Sequence, residues 1–163
     1  MDQLIPVVGT MALLGSALVG GIFFAFSSFI MKALAGVPAA QGIGAMQSIN
    51  VAVINPTFLG AFFGTAVLSL IAGGLALAGW GDPLASFILA GALFYLVGTV
   101  LVTMLGNVPL NNRLAAVSAS DPAARDVWEH YLGRWTMWNH IRAGAAMIAA
   151  LLYTLGLIQG GAA

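Results

Sequence analysis

Four long stretches of apolar residues, separated by short polar segments, dominate the hydropathy pattern of the chain. Apolar runs of this length are typical of membrane spans, because about 20 helical residues cross roughly 30 Å of hydrocarbon. The pattern predicts an all-α protein, a membrane four-helix bundle that forms one integral membrane domain over residues 1–163. The predicted spans cover residues 5–30, 51–78, 84–105 and 138–158.

The segments between the spans indicate how the spans are connected. The residues from Gly79 to Pro83 are typical of a tight turn in which Asp82 caps the next helix and Pro83 occupies its first turn. Spans 2 and 3 are therefore expected to form an antiparallel hairpin. Asp121-Pro122 is typical of a helix start, and we expect an amphipathic helix there that leads into the fourth span.

Composition and charge agree with a membrane protein. Of 163 residues, 61% are hydrophobic, five are Lys or Arg and five are Asp or Glu, which is too few charges to cover a water-soluble globule. We therefore expect a lipid bilayer around the chain. The balanced charge leaves no basic surface for nucleic acid, so no nucleic-acid partner is expected. The absence of cysteine excludes disulfides, iron–sulfur clusters and a cysteine nucleophile.

The cations predict an orientation in the membrane. Lys32 follows span 1, whereas Arg113, Arg125 and Arg134 follow span 3, and the loops on the other side carry no cation. Because short cytoplasmic loops carry an excess of Lys and Arg, this pattern places both loops in the cytoplasm. It predicts a protein of the plasma (inner) membrane with both termini on the non-cytoplasmic side.

Small residues recur at four-residue intervals in two spans and allow helices to approach closely. Packing within the bundle is the favoured interpretation, with a homo-oligomer interface as the alternative. The residues are Ala12, Ser16 and Gly20 in span 1, and Gly60 and Gly64 in span 2.

Aromatic residues form a stripe at the start of the fourth span. Spacings of 3, 4, 3 and 4 place five side chains on one helical face, and Asn139 borders them. An interfacial aromatic belt is one interpretation, but Arg142 lies about one turn inside the apolar stretch, where a cation needs a partner. We therefore favour a polar pocket, with snorkelling of Arg142 to the headgroups as the alternative. The five residues are Trp128, Tyr131, Trp135, Trp138 and Arg142.

Asparagines gather at the same membrane boundary. Pro109 is expected to kink or end span 3 and so to leave carbonyl groups without hydrogen-bond partners. The neighbouring amides either cap these carbonyl groups or form a polar pocket. Asn50 and Asn55 either close that pocket or form interhelical hydrogen bonds. The amides beside Pro109 belong to Asn107, Asn111 and Asn112.

The sequence predicts neither a metal site nor a cofactor. His130 and His140 are ten residues apart, about 15 Å along a helix, so they cannot share one ion. There is no Glu-x-x-His pair and no glycine-rich phosphate loop. His140 lies beside Asn139, and is either a general base or proton relay or a satisfied interfacial histidine.

Two motifs resemble the anthrone-oxygenase-like family of small four-span membrane proteins, and the likeness extends over nearly the whole chain. They are Gly106-Asn107-Val108-Pro109-Leu110-Asn111-Asn112-Arg113-Leu114 and, after Trp128, Trp135-Thr136-Met137-Trp138-Asn139-His140-Ile141-Arg142. The resemblance implies a monooxygenase, an oxidoreductase that converts an anthrone to an anthraquinone with molecular oxygen and without metal or flavin. A flat hydrophobic phenolic or anthrone-type aromatic is the implied substrate.

The resemblance also implies roles for individual residues. His140 is the expected base, with Asn107, Asn111, Asn139 and Arg142 as donors to the developing oxyanion and Trp135, Trp138, Tyr131 and Asn50 as substrate contacts. The alternative is a non-enzymatic membrane subunit or a protein that binds a small hydrophobic ligand. These hypotheses differ in whether the polar cluster lines a cavity.

Overall fold

A computed structural model describes residues 4–81 and 84–161, which form five helices. Short π-helical stretches interrupt two of them, at Phe26–Ile30 in the first and at Phe94–Leu101 and Thr103–Asn107 in the fourth. The helices are α1 (Leu4–Ala35), α2 (Ala39–Ala52), α3 (Pro56–Ala78), α4 (Ala85–Ala115) and α5 (Ala124–Gly161).

Four of these helices are long and apolar enough to cross a membrane: α1, α3, α4 and α5. They pack as a ring in which α1 contacts α3 and α5, and α4 contacts the same two neighbours. Inside the ring lie small, aliphatic and aromatic side chains, among them Ala12, Ile88 and Tyr153, while large apolar side chains, many of them leucines, cover the outside. The predicted membrane four-helix bundle, with an amphipathic segment leading into the fourth span, is confirmed.

The helix α2 was not predicted. Residues 51–55, which the hydropathy pattern placed in the second span, belong instead to the end of α2 and to the connector before α3. The break arises at Asn55-Pro56, because Asn55 caps α3 by accepting a hydrogen bond from the Phe58 N–H at 2.9 Å, and Pro56 occupies the first turn.

Pro109 was predicted to kink or to end span 3, and the second alternative is wrong, since α4 continues to Ala115. Pro109 lies two residues after the end of a π-helical stretch, in the first turn of the α-helical segment Val108–Ala115. The first turn tolerates proline, because N–H groups there have no partner within an α-helical segment. Asn107 and Asn111 therefore do not cap a broken helix, and their amides contact α5 instead.

The hairpin between α3 and α4 contains Gly81 with a φ of 115°, a conformation that favours glycine. The predicted cap Asp82 and its neighbour Pro83 lie outside the described residues.

The small residues of α1 pack within the bundle as predicted, since Ala12, Ser16 and Gly20 are buried. The same prediction is wrong for Gly60 and Gly64, which are exposed, with open space where a side chain would begin.

Candidate functional site

Arg142 is buried in the bundle, with 6% of its surface exposed. Its Nε and Nη2 atoms both donate to the Asn139 Oδ1, at 3.0 and 2.8 Å, and its Nη1 donates to the Thr103 Oγ1 at 3.2 Å. The guanidinium carbon lies 3.7 Å from the centre of the Phe23 ring and 5.0 Å from that of Trp135. Hydrogen bonds and aromatic faces therefore hold this cation within an apolar bundle.

No carboxylate neutralises Arg142 within residues 4–81 and 84–161, where the only ion pair joins the exposed Arg125 and Glu129 at 3.1 Å. A guanidinium has five N–H groups, and three of those on Arg142 have partners in this part of the chain. Its remaining N–H groups and its uncompensated charge make Arg142 a candidate anion-binding group. The interpretation that Arg142 snorkels to the headgroups does not agree with its burial.

The partners of Arg142 and Asn139 lie at or beside the π-helical stretches. The Asn139 Nδ2 donates to the Phe23 carbonyl and to the Ser27 Oγ on α1, at 2.7 and 2.8 Å. On α4, the Thr99 hydroxyl donates to the Arg142 carbonyl at 3.2 Å. Because π-helical turns occur frequently at functional sites, their position beside one buried cation supports a site here.

An aromatic column leads from the start of α5 toward Arg142. Trp128 and Tyr131 are stacked with ring centres 5.7 Å apart, and Tyr131 and Trp135 are stacked at 5.8 Å. The Tyr131 hydroxyl and the Trp135 Nε1 both donate to the Asn111 Oδ1, at 2.8 and 2.7 Å. Trp128 and Trp135 are buried, so the interfacial-belt interpretation is wrong for these two residues.

Asn107 is fully buried beside this column. Its Nδ2 donates to the Trp135 carbonyl at 3.1 Å, while its Oδ1 has no hydrogen-bond partner in the described structure. A buried amide oxygen without a donor is unusual and marks a place where a further donor would be stabilised.

A cavity of about 820 Å³ opens beside Arg142, within the size range of pockets that hold small molecules. Aromatic and aliphatic side chains form most of its wall, including Phe23, Phe58 and Phe62, whose ring centres lie 6.0 to 6.3 Å apart. Its polar lining residues are Gln47, Asn50, Thr103, Asn111, Asn112, Ser118 and Arg142.

The structure brings most of the predicted site residues together. Hydrogen bonds and ring contacts connect them through Trp135 and Asn139, and the members that line the cavity itself are Asn50, Asn111, Trp135 and Arg142. Asn50 donates weakly to the Tyr131 hydroxyl, at 3.4 Å. The connected residues are Asn107, Asn111, Tyr131, Trp135, Asn139, Arg142 and Asn50.

His140 and Trp138 are not part of this cluster. His140 is exposed on the outer surface of α5, because one helical step of about 100° separates it from the inward-facing Asn139. Trp138 is half-buried and packs against Gly106, where a methyl group would lie 2.7 Å from the indole. Trp135 lines the cavity, but its ring already contacts Tyr131, Phe26 and Arg142, so it offers little free face for a ligand.

Sequence reasoning missed several partners of the site: Phe23, Ser27, Phe58, Phe62, Thr99 and Thr103. One signal was available, since Thr99 and Thr103 are four residues apart and share a face of an otherwise apolar span.

Residues 56–152 match the family described as anthrone oxygenase, and they make up more than half of the chain. The chain belongs to the anthrone oxygenase family. Comparison with curated proteins and with solved structures finds no match. The residues matched to the anthrone oxygenase family contain Arg142, Asn139 and Thr103, whereas Phe23 and Ser27 come from α1, outside the matched range.

Proposed function

We propose that this integral membrane protein binds a flat hydrophobic phenolic or anthrone-type aromatic in the cavity and oxidises it with molecular oxygen. The observation that supports the proposal most is Arg142, a buried cation with unused N–H groups at the wall of a largely apolar cavity. Such a site favours a ligand that is mostly hydrophobic and carries one oxygen on which negative charge develops.

The proposed reaction converts an anthrone and one O₂ into an anthraquinone and one H₂O. The ring CH₂ loses a proton, and its electron pair is delocalised to the carbonyl oxygen as an enolate. This enolate transfers electrons to O₂, a C–O bond forms at the same carbon, and a proton on the outer oxygen completes a hydroperoxide. Removal of the remaining C–H proton forms the new C=O while the O–O bond breaks and water leaves.

Arg142 has the central role in this proposal. A guanidinium close to the enolate oxygen stabilises the negative charge more strongly inside the apolar bundle than it would in water. Asn139 is a positioning residue, because its side-chain oxygen accepts two hydrogen bonds from the Arg142 guanidinium. The rings of Phe58 and Phe62 supply apolar surface for a flat ligand, whereas the face of the Phe23 ring is covered by the Arg142 guanidinium.

The proton acceptor in this proposal is a water molecule inside the cavity, beside its polar lining residues. His140, the base implied by the family resemblance, is exposed on the outer surface of α5 and does not line the cavity. The lining residues in the described structure include no carboxylate and no imidazole. Catalysis therefore rests on stabilising the enolate.

We also propose that the protein lies in the plasma membrane with both termini on the non-cytoplasmic side. The described cations at the α2 end of the bundle support this orientation, since Lys32, Arg113, Arg125 and Arg134 are all exposed there.

The test measures oxygen uptake and quinone absorbance with 1,8-dihydroxyanthrone and the full chain in lipid nanodiscs, relative to empty nanodiscs. We expect Arg142→Met to lower the rate by about 10²- to 10³-fold, as for the loss of one oxyanion donor. Arg134→Met is the matched control, because Arg134 is an exposed arginine on the same helix.

Binding of the product, 1,8-dihydroxyanthraquinone, separates the remaining hypotheses. If the wild-type chain binds the product but shows no turnover above the spontaneous rate, the enzyme hypothesis is wrong and the ligand-binding hypothesis takes its place. Neither binding nor turnover would overturn the proposed function.

A further inference from the structure

We infer that the ligand reaches the cavity sideways from the bilayer, through an opening between α3 and α4 that we call the lateral portal. This inference rests on the proposed function and narrows its substrate class. It restricts the substrate to a free, uncharged aromatic dissolved in lipid, and excludes sugar, phosphate or carrier-bound conjugates of the same ring system.

The portal is visible where cavity-lining side chains are also strongly exposed on the outer surface. Five large apolar residues have both properties, with exposed fractions between 41% and 74%. A side chain that lines a cavity and also faces outward lies at the mouth of that cavity. The five residues are Val51, Ile54, Phe63, Met104 and Val108.

The helices α3 and α4 are in close contact near their hairpin, where a methyl group on Gly73 would lie 3.2 Å from the Ala92 Cβ. Farther from the hairpin, Phe63 on α3 and Met104 on α4 both line the cavity. At 1.5 Å per residue they lie about 22 and 28 Å along their helices from the hairpin. The portal therefore opens in the half of the bilayer that is farther from the hairpin.

The helix α2 covers part of the cavity on the side of the loop between α4 and α5. The Gln47 Nε2 donates to the carbonyls of Leu114 and Val117, both at 2.9 Å. These two bonds connect the middle of α2 to the end of α4 and to the residues that follow it. The helix α2 therefore narrows the opening on the side of the loops, where Asn112, Ala115 and Ser118 line the cavity and are exposed. The opening toward the acyl chains is lined by large apolar side chains instead.

An apolar portal within the bilayer selects against charge. A phosphate or carboxylate would have to leave water to pass the five apolar side chains, which is costly without a partner. A neutral aromatic is already dissolved in the hydrocarbon and crosses the portal without that penalty. Arg142 then meets the charge only when the enolate forms inside the cavity.

Single cysteines test the portal, since the chain contains none of its own. Met104→Cys places a thiol at the portal, Ser118→Cys places one at the exposed cavity wall near the α4–α5 loop, and Leu70→Cys places one on the exposed face of α3 away from the cavity. Each variant is labelled with a bulky non-fluorescent maleimide in nanodiscs. Binding of 1,8-dihydroxyanthraquinone is then followed by quenching of tryptophan fluorescence in a stopped-flow instrument.

A blocked route slows association and dissociation by the same factor and leaves Kd unchanged. We expect the label at Met104 to slow both rates about tenfold or more, the factor produced by an added barrier of about 1.4 kcal/mol. The label at Leu70, which does not line the cavity, is expected to leave both rates unchanged, and the label at Ser118 is expected to slow them less than the label at Met104. Slowing by the Ser118 label and not by the Met104 label would overturn the portal while leaving the proposed function intact. A lack of binding to the unlabelled chain would instead overturn the proposed function, and the portal with it.

Discussion

At the scale of residues, the molecule places one cation inside an apolar bundle and surrounds it with neutral groups. Asn139 is central to this arrangement, because it is fully buried and its amide connects α1 to Arg142 on α5. Its nitrogen donates to α1, and its oxygen accepts two hydrogen bonds from the guanidinium. The position of the positive charge beside the cavity therefore depends on one asparagine.

Replacing Asn139 by leucine is expected to destabilise the protein by about 3–5 kcal/mol, because a buried charge loses its acceptor. Asn112→Leu is the control, since Asn112 is an exposed asparagine, and it should cost less than about 0.5 kcal/mol. The free energy of unfolding is measured by SDS titration in mixed micelles. In the double variant with Arg142→Leu, the total cost should be smaller than the sum of the two single costs. Additive costs would contradict the proposed dependence of Arg142 on Asn139.

The site could be predicted in part from the chain. The spacing of Tyr131, Trp135 and Arg142 indicated a shared face, because residues of one helix have a fixed angular relation. The sequence could not show that Asn139 faces inward and His140 faces outward, because the two residues are neighbours at the edge of that face. The contacts of Phe23 and Thr103 depend on packing between helices distant in sequence, which periodicity does not reveal.

At the scale of elements, the fold was predictable where hydropathy alone decides it. The four spans follow from apolar length, whereas α2 was missed because the apolar residues at its end, such as Val51, merge with the pattern of α3. The continuation of α4 past Pro109 was missed because π-helical turns have no simple sequence signature. The 38 residues of α5 extend about 57 Å, so its first turns project well beyond roughly 30 Å of hydrocarbon.

The helix α2 offers a matched pair of glycines that tests how it docks. A methyl group on Gly42 would lie 2.8 Å from both the Leu34 carbonyl and the Trp128 ring, whereas Gly44 has open space. Gly42→Ala is expected to cost about 1–3 kcal/mol through overpacking. Gly44→Ala should stabilise the helix by about 0.5–1 kcal/mol, because alanine loses less backbone entropy than glycine. The same SDS titration measures both, and equal effects of the two substitutions would contradict the docking of α2 on Trp128.

At the scale of the whole molecule, the bundle has two different ends. The α2 end contains the cavity, Arg142 and the exposed cations, while the opposite half is packed with buried apolar residues such as Ala76, Ile88 and Tyr153. Across that half, the Tyr153 hydroxyl donates to the Ser69 Oγ at 2.9 Å and connects α5 to α3 on the other side of the ring. One half therefore provides a closely packed support, and the other half provides the space for a ligand.

This asymmetry leads to the last prediction, which concerns the orientation of the two ends in the membrane. The exposed cations lie at the α2 end, and short loops rich in Lys and Arg remain in the cytoplasm during insertion. Cysteines introduced at Ala35 and Ser118 are expected to resist an impermeant maleimide in intact cells and to react after permeabilisation. A cysteine at Gly79, exposed at the hairpin end, should react in intact cells and serves as the positive control. The reverse labelling pattern would place the cavity in the outer leaflet, so that substrate dissolved in that leaflet would be nearest to the portal.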